Sequence, residues 1–226
     1  MTRNINKYAE GSCLITLGET RVHCTASVDD WQPSFLRDTD QGWVTAEYSM
    51  LPRSTASRNR RERDVGVGGR THEIQRLIGR SLRAVCDTKL LGPMTVQVDC
   101  DVLQADGGTR TAAITGAFVA LADACVWLRE NRGVKRWPLL DQVAAISVGV
   151  VSGEILADLA YSEDSRAAVD MNLVITGRGQ MVEVQGTAEG APFSRQQLDA
   201  MLELGQQSCH KLFELQREVL GDVLPR

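Results

Sequence analysis

The sequence predicts an α+β fold in which helices pack on mixed, largely antiparallel β-sheets. Three observations indicate this class. Several short segments alternate apolar and polar residues, as half-buried strands do; consecutive strands are separated by short polar turns; and three longer segments carry apolar residues at helical spacing. The chain shows no repeat with a period of about 20–50 residues, which argues against solenoids and propellers.

The first half of the chain is predicted to form a hairpin, a strand, a helix and a long strand. The hairpin covers 11–28, because alternating apolar residues flank a turn at Gly18. A strand at 43–49 precedes a helix over about 71–86, and the long strand covers 94–104. The helix carries its apolar residues on one face, and these are Ile74, Leu77, Ile78, Leu82 and Val85.

The second half is predicted to begin with a helix over 111–130, which is apolar nearly all round and should therefore be buried. Four strands are predicted after it, at 143–151, 155–161, 168–176 and 181–185. The final helix begins at Ser194, where Gln197 completes a capping box, and it continues to about Leu220.

The composition, with 43% hydrophobic and 24% charged residues, is that of one globular domain covering 1–226. We find no run of about 18 apolar residues that would span a bilayer and no secretory signal, so we expect a cytoplasmic protein with no membrane partner. The six cysteines lie far apart without a CxxC pair, and the three histidines are scattered. This pattern argues against zinc and redox motifs and favours reduced thiols in the core.

The most informative segment is the turn at 106–110, between the predicted 94–104 strand and the following helix. The first N–H groups of a helix have no partner within it and favour anions, and glycine lets a ligand approach the backbone closely. Thr109 adds a hydroxyl group, and Arg110 adds a planar, permanently charged fork of donors. We therefore predict a phosphate site at Gly108, Thr109 and Arg110.

Arg70 occupies a second glycine-flanked position at a predicted helix start, in the sequence Gly68-Gly69-Arg70. A plain turn followed by a helix cap would leave the same pattern. Because anions bind at helix starts, we predict that Arg70 is a second contact to phosphate.

An arginine-rich loop lies between the 43–49 strand and the first helix. Within 53–63 the loop contains only one acidic residue, Glu62. Its five arginines are Arg53, Arg58, Arg60, Arg61 and Arg63. Arginine binds phosphate oxygens in a bidentate manner, so the loop is suited to a polyanionic backbone. The alternative is a solvated connection without a partner.

Two carboxylates and a polar segment complete the candidate residues. Asp164 and Asp170 flank the entry to the 168–176 strand, and a tight turn with polar side chains is predicted over 184–190. Each feature has a structural alternative, because loop acids and turns of this kind are common. Their combination with two glycine-flanked arginines is what favours a site.

No obvious protein nucleophile accompanies these residues. Phosphate held by Arg70, Thr109 and Arg110 could itself attack a phosphodiester and release a nucleoside diphosphate. Asp164 and Asp170 could then hold Mg²⁺, which prefers oxygen ligands, or protonate the leaving 3′ oxygen. The residues therefore lead to phosphorolysis as a hypothesis.

Four segments of the chain, in order and spread over most of its length, resemble the bacterial ribonuclease PH family. They are Gly42 to Thr55, Glu73 to Ile78, Asp99 to Thr111 and Val184 to Gly190. The resemblance implies a phosphate-dependent 3′→5′ exoribonuclease, also called tRNA nucleotidyltransferase. Such an enzyme trims tRNA precursors and other RNA 3′ ends, releases nucleoside diphosphates, and adds nucleotides in the reverse reaction.

The resemblance also implies a fold with a left-handed βαβ crossover and a homo-hexameric ring of three dimers that acts on RNA and not on DNA. Arg70 and the turn Gly108-Thr109-Arg110 match the family's phosphate site. Asp164 and Asp170 match its catalytic and metal-binding carboxylates, and of the two Asp170 is favoured over Asp164 as the proton donor. The arginines of 53–63 fall where the family contacts the tRNA body. The chain starts later than is usual for the family, which is expected to affect stability and assembly.

Two rival functions remain at this point. One is a catalytically silent RNA-binding ring subunit, against which the presence of Arg70, Arg110 and both aspartates argues. The other is a hydrolytic nuclease with two metal ions, which would be expected to show more clustered acids and would not need an anion pocket beside them.

Overall fold

The computed structural model describes residues 1–62 and 66–224, and within them the chain forms two β-sheets with helices packed on them. The first sheet has the strand order β1-β2-β3-β5-β4. Its strands are β1 (Thr2–Arg3), β2 (Gly11–Leu17), β3 (Thr20–Asp29), β4 (Trp43–Met50) and β5 (Thr95–Gln104). The hairpin and both later strands of the first half are thus confirmed.

Helix α1 (Gly69–Ala84) connects β4 to β5, which lie side by side and run parallel. The remaining pairs of this sheet are antiparallel, so the predicted mixed, largely antiparallel class is confirmed. A parallel pair needs a crossover connection, and α1 provides it as a βαβ unit. The left hand of this crossover stays a prediction. Because α1 begins at Gly69, Arg70 lies inside its first turn.

The second sheet is entirely antiparallel and has the order β7-β6-β8-β9. Its strands are β6 (Val143–Val151), β7 (Glu154–Ala157), β8 (Val169–Thr176) and β9 (Met181–Ala188). The helices of this half are α2 (Thr109–Asn131), α3 (Tyr161–Asp164) and α4 (Arg195–Leu220). The capping box at Ser194 is confirmed, because its side chain accepts a hydrogen bond from the Gln197 N–H.

Two predictions about the second half are wrong. The strand predicted at 155–161 ends at Ala157, because Asp158 adopts a φ of 60° and the chain then turns into α3. The tight turn predicted over 184–190 is largely strand, since β9 pairs with β8 as far as Ala188. In both cases the bounds of the strand depend on backbone hydrogen bonds to a neighbouring strand, which the local pattern of polar residues does not show.

Helix α2 is the centre of the molecule. Its residues are buried on nearly every side, and β2 packs so closely that a Cβ atom on Gly11 would lie 1.9 Å from the Ala120 carbonyl oxygen. By length and a mean hydropathy of 1.7, α2 could also cross a membrane, although 89% of that window is buried inside the protein. The expectation that no segment is apolar enough for a bilayer is therefore wrong for α2, whose apolar surface serves the core.

The two sheets share this core. Val143, Ala145 and Val174 of the second sheet belong to the same apolar cluster as α2 and the first sheet. The opposite face of the second sheet packs on α4. Strand residues two apart share a face, so Asp170 lies on the side of β8 that carries Val174 and faces the junction of the sheets. The prediction of one domain over 1–226 stays a prediction, which this shared cluster supports.

All six cysteine thiols are buried and free, as expected for reduced core residues. Burial raises the pKa of the Cys13, Cys86 and Cys209 thiols to about 12. Burial therefore favours the protonated thiol, whereas the thiolate is the reactive form.

Candidate active site

The turn between β5 and α2 has a backbone that only glycine adopts without strain. Gly107 and Gly108 have φ values of 78° and 55°, in the left-handed region. A Cβ atom on Gly107 would lie 2.0 Å from the Leu159 carbonyl oxygen. The buried Thr20 hydroxyl holds the turn by donating to the Gly107 oxygen at 2.6 Å and accepting from the Asp106 N–H at 2.8 Å.

Gly108 is the N-cap of α2 and has no side chain to accept a hydrogen bond from the first turn. The Thr111 hydroxyl instead donates to the Gly108 oxygen at 2.8 Å, which fixes the carbonyl side of the cap. The N–H groups at the start of α2 therefore remain for an anion, and the helix dipole favours negative charge there. This is the geometry that the sequence predicted.

Tyr48 of β4 orients the hydroxyl of Thr109. The two hydroxyl oxygens are 2.8 Å apart, and the Tyr48 side chain is buried against the core. Burial raises the pKa of Tyr48, while the Thr109 hydrogen bond and the charges of Arg70 and Arg110 act in the opposite direction. Both guanidinium groups are thus close enough to influence this hydroxyl. Sequence reasoning missed Tyr48, whose only signal was a tyrosine on an otherwise apolar strand face.

The Arg110 side chain is held by two residues from other elements. Its Nη1 lies 3.2 Å from Oε1 of Gln185 on β9 and 3.6 Å from Oε1 of Glu73 on α1. The Gln185 amide nitrogen in turn donates to the same Glu73 oxygen at 3.1 Å. Sequence reasoning assigned neither Glu73 nor Gln185 a role. The signal for Gln185 was its place among the polar side chains of 184–190.

Asp164 and Asp170 come together beside this cluster. Burial is the largest cause of the raised pKa of Asp170, the charge of Asp164 adds to it, and the charges of Arg110 and Arg70 oppose it. The end of α3 carries Asp164, and α3 is tied to the glycine turn because the Tyr161 N–H donates to Oδ1 of Asp106 at 3.1 Å. Asp164 and both predicted arginines therefore lie close enough for their charges to act on Asp170.

The arginine-rich loop starts next to the same turn. Ser54, at its base, is buried, and its carbonyl oxygen accepts a hydrogen bond from the Ala105 N–H at 2.8 Å. The predicted contacts to RNA that the structure describes are all exposed, and they are Arg53, Arg58, Arg60 and Arg61. Arg63 lies outside the described residues.

Two guanidinium groups, helix-start amides and a carboxyl group of raised pKa near one another are the arrangement expected of an enzyme that handles phosphoryl groups. Residues 1–126 match domain 1 of the 3′ exoribonuclease family, and residues 141–208 match domain 2 of that family. A ribonuclease PH from Moorella thermoacetica is 60% identical over 225 residues, which cover 99% of this chain and 90% of that protein. The chain therefore belongs to the ribonuclease PH group of the 3′ exoribonuclease family.

Solved structures of lower sequence identity also confirm the fold. Rice (Oryza sativa) Rrp46 superposes with a TM-score of 0.76 at 19% identity, over 99% of this chain and 93% of that one. A chain of the Archaeoglobus fulgidus exosome with RNA bound to the active site gives a TM-score of 0.79 at 22% identity, over 94% and 85%. Family membership makes this protein a phosphorolytic 3′→5′ exoribonuclease, an enzyme of the nucleotidyltransferase type, as predicted.

Proposed function

We propose that this enzyme trims the 3′ ends of tRNA precursors and other structured RNA, with phosphate held by Arg70, Gly108, Thr109 and Arg110. The observation that carries the proposal is that the charges of Arg70 and Arg110 both act on Asp170, with Arg110 in the first turn of α2. Charge-assisted hydrogen bonds to phosphate are stronger than hydrogen bonds between neutral groups, and arginine often forms two of them to one phosphate in a bidentate manner. The Tyr48 and Thr109 hydroxyls share a hydrogen bond in which either can donate, and when Tyr48 donates, the Thr109 hydrogen is left for a phosphate oxygen.

Bound phosphate is the attacking group. One of its oxygens forms a bond to the phosphorus of the last nucleotide, and the 3′ oxygen of the preceding nucleotide leaves. Asp170 protonates that leaving oxygen, and its raised pKa suits it to hold a proton. The product is a nucleoside diphosphate, and the reverse reaction extends RNA from nucleoside diphosphates.

The two carboxylates are too few to hold Mg²⁺ alone, so the substrate would have to supply further oxygen ligands. Within the described residues no group of three or more His, Cys, Asp or Glu side chains could hold a metal ion. Mg²⁺ commonly takes one or two carboxylates and completes its shell with phosphate oxygens and water. Asp164 and Asp170 would hold it, and the ion would neutralise charge on the reacting phosphates. When Asp170 carries the proton, Asp164 remains as the acidic ligand.

The exposed arginines of the loop are proposed to contact the RNA backbone. Replacing Arg58, Arg60 and Arg61 with glutamine is expected to weaken tRNA binding and to lower the slope of log affinity against log salt by about 2, because each phosphate contact releases counterions. Titrations at several salt concentrations measure the slope.

The matched control replaces three exposed cations at and just beyond the far end of α2 with glutamine, namely Arg129, Arg132 and Lys135. That end of α2 lies about 30 Å along the helix from Arg110, so the slope should hardly change. An equal loss of slope in both triple variants would mean that the loop has no special part in binding and is a solvated connection.

The assembly is proposed to be a homo-hexameric ring of three dimers in the cytoplasm, acting on RNA and not on DNA. Two structural neighbours come from archaeal exosomes, one described as an exosome core, which supports a ring-type assembly. Light scattering at several protein concentrations measures the mass of the particle.

The decisive experiment uses a tRNA precursor with a 3′ extension and Mg²⁺, with and without inorganic phosphate. Nucleoside diphosphates that appear only with phosphate are the expected products. Monophosphates in phosphate-free buffer would instead identify a hydrolase, and binding without products would identify a silent ring subunit.

A further inference from the structure

We propose that Gln185 is a positioning residue that holds Arg110 in its phosphate-binding orientation, with Glu73 behind it. The inference rests on the proposed role of Arg110. It gives a function to a residue of the 184–190 segment that the reaction itself does not use. Gln185 acts through Arg110 and need not touch the substrate.

The contacts form a closed triangle across three elements. Gln185 Oε1 accepts from Arg110 Nη1 at 3.2 Å, Gln185 Nε2 donates to Glu73 Oε1 at 3.1 Å, and Glu73 lies 3.6 Å from Arg110. Gln185 pairs in register with Asn172 on β8, two residues from Asp170, and strand residues two apart share a face. The amide therefore lies on the same face of the second sheet as Asp170.

Arg110 needs such support because it is the second residue of α2 and has a long side chain with many rotamers. A guanidinium group that is already fixed loses less freedom when phosphate binds, which improves affinity without a new contact. The side chain is only 16% exposed, and one of its five N–H donors is used by Gln185. Other donors remain for phosphate.

A neutral amide suits this position better than an acid would. A carboxylate in place of Gln185 could also accept from Arg110, but it would add a second negative charge beside Glu73 and weaken the attraction for phosphate. Glu73 is already partly exposed, with 44% of its side chain accessible, so water reduces its effect on Arg110. The amide thus aligns the arginine and leaves most of its positive charge for the anion.

The alternative is that Gln185 merely fastens β9 to α1. A second contact tests this alternative directly, because Glu183 on the same face of β9 forms an ion pair with Arg80 of α1. Glu183 lies two residues from Gln185, and Arg80 lies two helical turns from Glu73. Glu183→Gln therefore loosens the same pair of elements without touching Arg110.

The test measures the KM for inorganic phosphate, kcat at saturating phosphate, and RNA affinity. The variants are Gln185→Ala, Gln185→Glu, Glu183→Gln, Arg110→Ala and the double variant Gln185→Ala/Arg110→Ala. Gln185→Ala should raise the phosphate KM about 10-fold, the scale of one hydrogen bond to a charged group, with RNA affinity unchanged. Gln185→Glu should raise it further. Glu183→Gln should leave it near the wild-type value.

The double variant shows whether Gln185 acts through Arg110 or independently of it. If Gln185 acts through Arg110, its replacement should change nothing further once Arg110 is gone, since the two effects are coupled. A full additional 10-fold rise in the double variant, or an equal rise in Glu183→Gln, would overturn the positioning role. An unchanged phosphate KM in Arg110→Ala would instead remove Arg110 from the phosphate site, which is a failure of the proposed function and of this inference together.

Discussion

Replacing Asp170 with asparagine is expected to lower kcat about 1,000-fold while RNA affinity stays nearly constant. Asparagine has almost the same shape, so the second sheet should fold normally. It can neither donate a carboxylic proton nor supply a charged metal ligand. The large effect on turnover should therefore appear without a comparable effect on binding.

The pH dependence follows from the raised pKa of Asp170. Burial and the charge of Asp164 both favour the protonated form, and bound phosphate adds further negative charge. A general acid works while it carries its proton, so its contribution is present below the folded-state pKa and is lost as the pH rises through it. The raised pKa moves this loss to higher pH than for an ordinary aspartate.

Rates of nucleoside diphosphate release at saturating phosphate, measured across pH for wild-type and Asp170→Asn, test this expectation. Asp199→Asn is the matched control, because Asp199 is exposed on α4 and pairs with Arg195. A variant of Asp170 with wild-type turnover and an unchanged pH profile would exclude this carboxyl group from the reaction.

Gly107→Ala is expected to destabilise the protein by roughly 3 kcal/mol or more and to abolish phosphate-dependent activity. The new Cβ atom would lie 2.0 Å from the Leu159 carbonyl oxygen and 3.1 Å from the Ala160 carbonyl carbon, which are backbone atoms that cannot rotate away. The φ of 78° adds strain for any residue with a Cβ atom. The overlap can be relieved only if the turn moves away from α3. That movement would also change the distance from Arg110 to Asp164.

Gly133→Ala separates these two causes. Gly133 has a similar φ of 69°, but its Cβ position meets nothing within 4 Å, so the variant carries only the backbone strain of about 1–2 kcal/mol. Urea unfolding of both variants gives the free energies, and the difference between them measures the steric overlap. Equal destabilisation of the two proteins would mean that the close approach of Gly107 to Leu159 is unimportant.

Much of the candidate site could be predicted from the sequence because several of its parts are formed by residues close together in the chain. Gly107, Gly108 and Arg110 sit in a strand–turn–helix unit whose anion-binding geometry depends on a few consecutive residues, and Arg70 opens a helix in the same way. The capping box at Ser194 is equally local. Such features follow from backbone chemistry within one turn, so no tertiary information is needed to predict them.

The contacts that complete the site could not be predicted from spacing. Tyr48 and Thr109 are 61 positions apart, and Glu73 and Gln185 are 112 positions apart. Their meeting depends on strand register and on how the two sheets pack, which a single sequence does not encode in any local pattern. The predicted strand at 155–161 extends past Ala157 for the same reason, since only the neighbouring strand shows where pairing stops.

The parallel pairing of β4 with β5 has a consequence for how the chain reaches its active form. Pairing these strands closes a loop that contains α1, and closing such a loop costs entropy before any contact compensates it. The candidate site draws on both sheets, because Tyr48 lies in the first and Asp170 in the second. A chain in which only one sheet has assembled is therefore expected to be inactive on RNA.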